Sequence, residues 1–274
     1  MTAVCEHEAV RRALALEKHG FRRAAIDVLE ATLGAEPDIG SLRRLRGVLL
    51  SREGRHDEAF AEIQQALVLA SLGPEELLIL ADGYARAGLT ASAVDVYQQL
   101  ADDENRPYEM WVDVFAGLGR AKRWQAALGV CRRAAEVRAD DDAVYYAMAQ
   151  ALVRLERPAE MVVSVLCKAI DLNPSDARYR VLLATQLLRT GKQREAYGCI
   201  ADLAPESFAD LTCACCAWKL LRLCISFGDA TRAALFGAQL ARLAAFARDA
   251  QGDARGHAGE KYRLLITRNN RLIL

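Results

Sequence analysis

Residues Lys168–Tyr197, KAIDLNPSDARYRVLLATQLLRTGKQREAY, hold the unit whose repetition decides the fold. The end of one helix runs into an Asn173-Pro174 turn, a full amphipathic helix follows, and Gly191 breaks the chain before a third helix begins. Proline cannot continue the first helix, and glycine takes the left-handed cap that closes the second.

The same punctuation recurs in both directions along the 274 residues. Turn positions fall at Gly20, Gly54 and Gly88, then at Lys122 in the next 34-residue slot, then at Gly191 and Gly228. Five residues after each stands a small side chain, Ala25, Ala59, Ala93, Ala127, Ala196 or Ala233, as two closely crossing helices require. Four residues before the turn comes a bulky core residue: Leu16, Leu50, Tyr84, Leu118, Leu152, Leu187 or Cys224. A fixed period of this size means a stacked array rather than one globular core.

This helix–turn–helix pattern resembles the tetratricopeptide repeat family. It is carried best by Ala177–Asp210 and by Pro74–Pro107 with Ala81, Tyr84, Gly88 and Ala93, and Trp111 stands where the family often places tryptophan. Seven repeats are expected, at 6–39, 40–73, 74–107, 108–141, 142–176, 177–210 and 214–247. The resemblance implies an all-α, right-handed superhelical α-solenoid.

Departures from the pattern mark places to inspect. The fifth turn, Glu156-Arg157-Pro158, has no glycine and one extra residue, and Met161 and Val162 replace the small alanine, so local distortion is expected there. Leu211–Cys213 are additional before the seventh repeat. Arg12 and Arg46 occupy a slot that is apolar later, at Leu80, Val114 and Leu183, which predicts weaker packing or a polar cap at the N-terminal end. Residues 248–261 read as a polar linker or frayed helix end. Residues 262–274, YRLLITRNNRLIL, form an apolar tail that either caps the seventh repeat or docks on another chain, self-association being one such outcome.

Composition limits the function classes. Thirty-six basic residues balance thirty-six acidic ones, so no net charge draws the chain to nucleic acid or anionic membrane. The longer, basic pentatricopeptide repeats that bind RNA are not matched. No secretory signal and no apolar run long enough to span a bilayer are read, which predicts a cytoplasmic protein with reduced cysteines. Four histidines lack metal or triad spacing, and no phosphate-binding loop follows a strand. No catalytic residue, cofactor or metal is assigned. On a continuous helix Cys215 would point away from Cys213 and Cys216, so these cysteines read as small packing residues.

The resemblance places ligands on the first helix of each repeat, along a concave groove. Counting back from the turn, the inner slots are Val10 and Leu14, Arg44 and Val48, Leu78 and Asp82, Val112 and Ala116, Tyr146 and Gln150, Val181 and Thr185, and Trp218 and Arg222. Tyr146 and Trp218 are the expected aromatic anchors for a protein or peptide partner. A basic row, Lys18, Arg52, Arg86, Arg120, Arg154 and Arg189, recurs at steps of 34 or 35. It reads either as a line of cations for an acidic partner or as favourable charge at helix C-termini. The Lys and Asn set with which some members of the family grip chaperone C-termini is not present in register. The resulting expectation is a non-enzymatic scaffold or adaptor. A chaperone for a bacterial secretion substrate and a peptide- or ligand-sensing regulator hinged at Glu156–Pro158 are the alternatives.

Overall fold

Helix after helix ends on a residue in the left-handed region. In the computed structural model, which describes residues 2–208 and 213–252, these residues are Gly20, Gly54, Gly88, Gly191 and Gly228, with φ between 71° and 84°. Lys122 (φ 58°) and Glu156 (φ 53°) take the same conformation without being glycine. In every case the next N–H donates back to the carbonyl four residues before the turn: Phe21 to Leu16, Arg55 to Leu50, Leu89 to Tyr84, Arg123 to Leu118, Arg157 to Leu152, Lys192 to Leu187 and Asp229 to Cys224. This is the Schellman closure, and it satisfies carbonyls that the helix end would otherwise orphan.

The described residues form fourteen α-helices, two short 3-10 turns (Tyr108–Met110 and Pro205–Phe208) and no strand. They divide into two compact units, Met1–Val137 and Arg138–Leu274. The first holds α1 (Thr2–Lys18), α2 (Arg22–Ala35), α3 (Gly40–Arg52), α4 (His56–Leu69), α5 (Pro74–Arg86), α6 (Thr90–Asp102), α7 (Trp111–Arg120) and α8 (Trp124–Val137). The second holds α9 (Asp142–Arg154), α10 (Ala159–Leu172), α11 (Ala177–Arg189), α12 (Gln193–Ala201), α13 (Ala214–Ser226) and α14 (Ala230–Gly252).

Within each unit the helices stack as an α-solenoid. In the first, each odd-numbered helix packs on its own partner and on the next odd-numbered helix; in the second, α11 and α13 meet in the same way. The small residue after the turn lies at these crossings, with Ala25, Ala59, Ala127 and Ala196 wholly buried. One close approach in the first unit is at Gly117 of α7. A Cβ there would lie 2.3 Å from the ring of Tyr97 on α6, so only glycine fits without movement.

Two sequence expectations change. The fifth turn keeps the same left-handed cap, at Glu156, and the extra residue follows it: Pro158 precedes α10, and Val162 fills the buried crossing position one residue later than usual. Arg46 does not mark loose packing. Its side chain is only 15% exposed and meets Glu62 at 2.6 Å and Glu30 at 3.3 Å, while Arg43 reaches the other Glu62 oxygen at 3.2 Å. A buried carboxylate shared by two guanidiniums therefore replaces the apolar contact found at Leu80 and Val114. At the C-terminal end α14 continues to Gly252; the apolar tail 262–274 lies outside the described residues.

Candidate functional site

The basic row behaves differently in the two units. In the first, Arg52 bridges Glu75 (3.0 Å) and Glu17 (3.6 Å), Arg86 faces Asp57 (3.4 Å) and the His56 carbonyl, and Arg120 pairs with Asp82 (2.9 Å). These arginines tie neighbouring helix pairs together. The inner-slot residues Arg44 and Asp82 are drawn into the same bonding, Arg44 with Glu76 at 2.8 Å and Asp82 with both Arg120 and the Tyr97 hydroxyl. Burial and the adjacent Asp82 carboxylate push the Tyr97 phenol well above its ordinary value. Leu14 and Val112 stay exposed, Leu78 and Ala116 are partly covered, and Val48 is buried. Lys18 is exposed at the end of α1.

In the second unit one depression gathers cations with no carboxylate among its lining residues. Thr185, Leu188 and Arg189 of α11, Gln193 at the start of α12, and Trp218, Lys219, Arg222, Leu223 and Ser226 of α13 line a depression of about 310 Å³. Helical spacing produces it, since Trp218, Arg222 and Ser226 are four residues apart and share one face of α13. Trp218 is 41% exposed although it is the largest side chain there. Arg189 donates to the Gln186 amide oxygen at 2.8 Å, and among the described residues Arg222 has no hydrogen-bond or ion-pair partner. Thr185 and Leu223 are buried and form the floor, the Thr185 hydroxyl being used internally by the Leu182 carbonyl.

Other candidates are placed elsewhere in this unit. Tyr146 lies against Tyr179, with ring centroids 4.8 Å apart, and the Arg178 guanidinium sits 5.7 Å from its ring. Burial raises its phenol above the ordinary range against the lowering effect of a Gln150 hydrogen bond. Val181 is buried and lines no part of the depression. Arg154 has a partner within the fold. Of the residues singled out from the sequence, Thr185, Arg189, Trp218 and Arg222 line this depression; Lys219, Gln193 and Ser226 line it too and were not singled out. The i, i+4, i+8 spacing from Trp218 would have found Ser226; Gln193 is supplied by a second helix and carries no such signal.

The expected separation of Cys215 from Cys213 does not hold at the start of α13. Cys213 is the N-cap, with φ −91° and ψ 105°, and so lies off the helical spiral on which Cys215 and Cys216 sit. Its Sγ accepts from the Cys216 N–H at 3.3 Å and lies 3.1 Å from the Sγ of Cys215. All three sulfurs fall within 4.8 Å of one another, a grouping that suits a soft metal ion.

No protein-family model matches the chain, and no curated protein does. Among solved structures, a tetratricopeptide repeat protein from Parabacteroides merdae is similar at a TM-score of 0.57 and 17% identity, over 87% of this chain and 93% of that one. MamA from Desulfovibrio magneticus gives 0.51 at 21% identity, over 59% of this chain and 91% of its own. A further MamA structure gives 0.53 at 14% identity, over 64% and 95%. At these identities the likeness is one of fold.

Proposed function

We propose that this chain, a tetratricopeptide-type repeat protein, is a non-enzymatic interaction scaffold that binds an acidic segment of a partner protein in the α11–α13 depression. The observation that supports this most is local: Arg52, Arg86 and Arg120 of the basic row are paired with carboxylates, whereas Arg189, Lys219 and Arg222 surround an exposed tryptophan with none among the lining residues. A half-exposed tryptophan beside unpaired cations offers an apolar contact and charge-assisted hydrogen bonds to one short stretch of chain.

Trp218 packs on an apolar side chain of the partner, and Arg222 and Arg189 receive its carboxylates. Within the first unit, the exposed Leu14 and Val112 are proposed as separate apolar contacts. Affinity purification with the full chain, followed by Trp218→Ala and Arg222→Glu, tests the site. Each substitution is expected to weaken recovered partners by about tenfold or more, in line with a central aromatic or arginine contact, and added salt to weaken binding further. Recovery of the same partners at the same strength by both variants overturns the assignment.

A further inference from the structure

The first turn of α13 carries a second constellation that the groove does not use. We infer that Cys213, Cys215 and Cys216 form a three-thiolate site for a thiophilic monovalent cation, copper(I).

Geometry comes first. Three sulfurs held about 2.3 Å from one ion in a trigonal plane are about 4.0 Å apart. The Cys215–Cys216 separation is 4.0 Å, Cys213–Cys215 is 3.1 Å, and all three lie within 4.8 Å. Rotation about the Cys side-chain bonds covers the remaining difference. The approach is open, because all three residues are only partly buried, whereas Cys131 and Cys224 are fully enclosed.

The backbone adds to the geometry. The Cys213 Sγ accepts from the Cys216 N–H at the helix start at 3.3 Å, which fixes one sulfur beside the other two. Cys131 and Cys199 belong to no such group of three among the described residues.

Ligand identity selects the ion. Thiolates favour copper(I) and zinc over harder cations. Zinc held by three protein ligands needs a water as its fourth, since among the described residues no His, Asp or Glu joins the group. Copper(I) is satisfied by three sulfurs. Binding is a ligand exchange without redox change: the three sulfurs bond to the ion, their three thiol protons leave to solvent, and the copper–trithiolate carries two negative charges. The groove reading and this one stand on different residues.

The test is titration of the reduced full chain with copper(I) against a colour-forming copper(I) chelator. The wild-type chain is expected to hold one equivalent more than the Cys213→Ser/Cys215→Ser/Cys216→Ser variant, with a thiolate-to-copper charge-transfer band that the variant lacks. Uptake is expected to tighten as pH rises, since protons leave. Cys167→Ser/Cys199→Ser should keep that equivalent. Serine is itself a good N-cap, so the triple variant is expected to keep the helical signal of the parent; if it does not, the single Cys215→Ala variant makes the same comparison. Equal copper uptake with and without the cluster overturns the site, and uptake of zinc in preference to copper overturns the ion.

Discussion

Gly117→Ala inverts its sign with the residue opposite it. In an isolated helix the change would stabilise by about 0.8–1.0 kcal/mol, because alanine loses less backbone freedom. Here the new Cβ would lie 2.3 Å from two ring atoms of Tyr97, more than an ångström inside normal contact, and Tyr97 is only 1% exposed. The ring cannot retreat into solvent without pulling its hydroxyl from Asp82 and Arg120. Overpacking of this kind costs about 1–3 kcal/mol, and the strained hydrogen bond adds about 1 kcal/mol. Less the helical gain, the net loss is about 1–3 kcal/mol. With Tyr97→Ala the obstruction is gone, and Gly117→Ala should then raise stability by about 0.8–1.0 kcal/mol over Tyr97→Ala alone. Urea unfolding followed by circular dichroism, together with hydrogen exchange across α7, measures both arms. Destabilisation of similar size in the two backgrounds would refute the steric argument and point to the backbone of α7 itself.

Three further outcomes follow from the same structure. Lys122→Gly and Glu156→Gly relieve side chains held at φ 58° and 53°, a conformation costing about 1–2 kcal/mol. Against the extra freedom of glycine in the unfolded chain, about 0.4–1 kcal/mol, each should raise stability by about 0–1.6 kcal/mol, whereas Gly54→Ala should lower it; thermal melts compare all three. Glu62→Ala leaves Arg46 only Glu30 and Arg43 only the Pro37 carbonyl, in a site where their side chains are 15% exposed, so denaturant titration should show a loss of about 3 kcal/mol, the low end for breaking a buried pair. Replacing Arg46 and Glu62 together by Met and Leu should recover much of that loss. The Asp229 carboxyl is held below its usual range first by the Arg232 N–H, then by the Arg232 guanidinium and the Tyr197 hydroxyl. Its contribution is therefore complete above the unfolded value of about 4 and is lost as pH falls through the lower folded value. Asp229→Asn should melt below wild type at pH 6, and the two curves should converge toward pH 2.

The helical array was legible because it rests on local chemistry. A left-handed cap, a bulky residue before it and an alanine after it are each dictated within a few residues, and the spacing from Gly20 to Gly228 repeats them often enough to be read. Even Glu156, which lacks the glycine, was placed by the 34-residue step from Lys122. What was misread depended on partners far away in sequence. Arg46 looked like a missing core residue, since nothing near it announces that Glu62, sixteen residues on, brings a carboxylate into the same interior. The basic row is uniform in sequence but not in surroundings: Arg120 meets Asp82 across 38 residues, while Arg189 meets only the Gln186 amide oxygen beside it on the same helix. Only that difference separates a helix-stapling arginine from one available to a partner. The cysteines failed for a smaller reason. A helical wheel sends Cys215 away from Cys213 only if both are in the helix, and shifting the helix start by one residue, so that Cys213 becomes the cap, brings the three sulfurs together. Helix boundaries are the part of a sequence reading with the weakest local signal, so sites built on a first turn are the ones such a reading loses most easily.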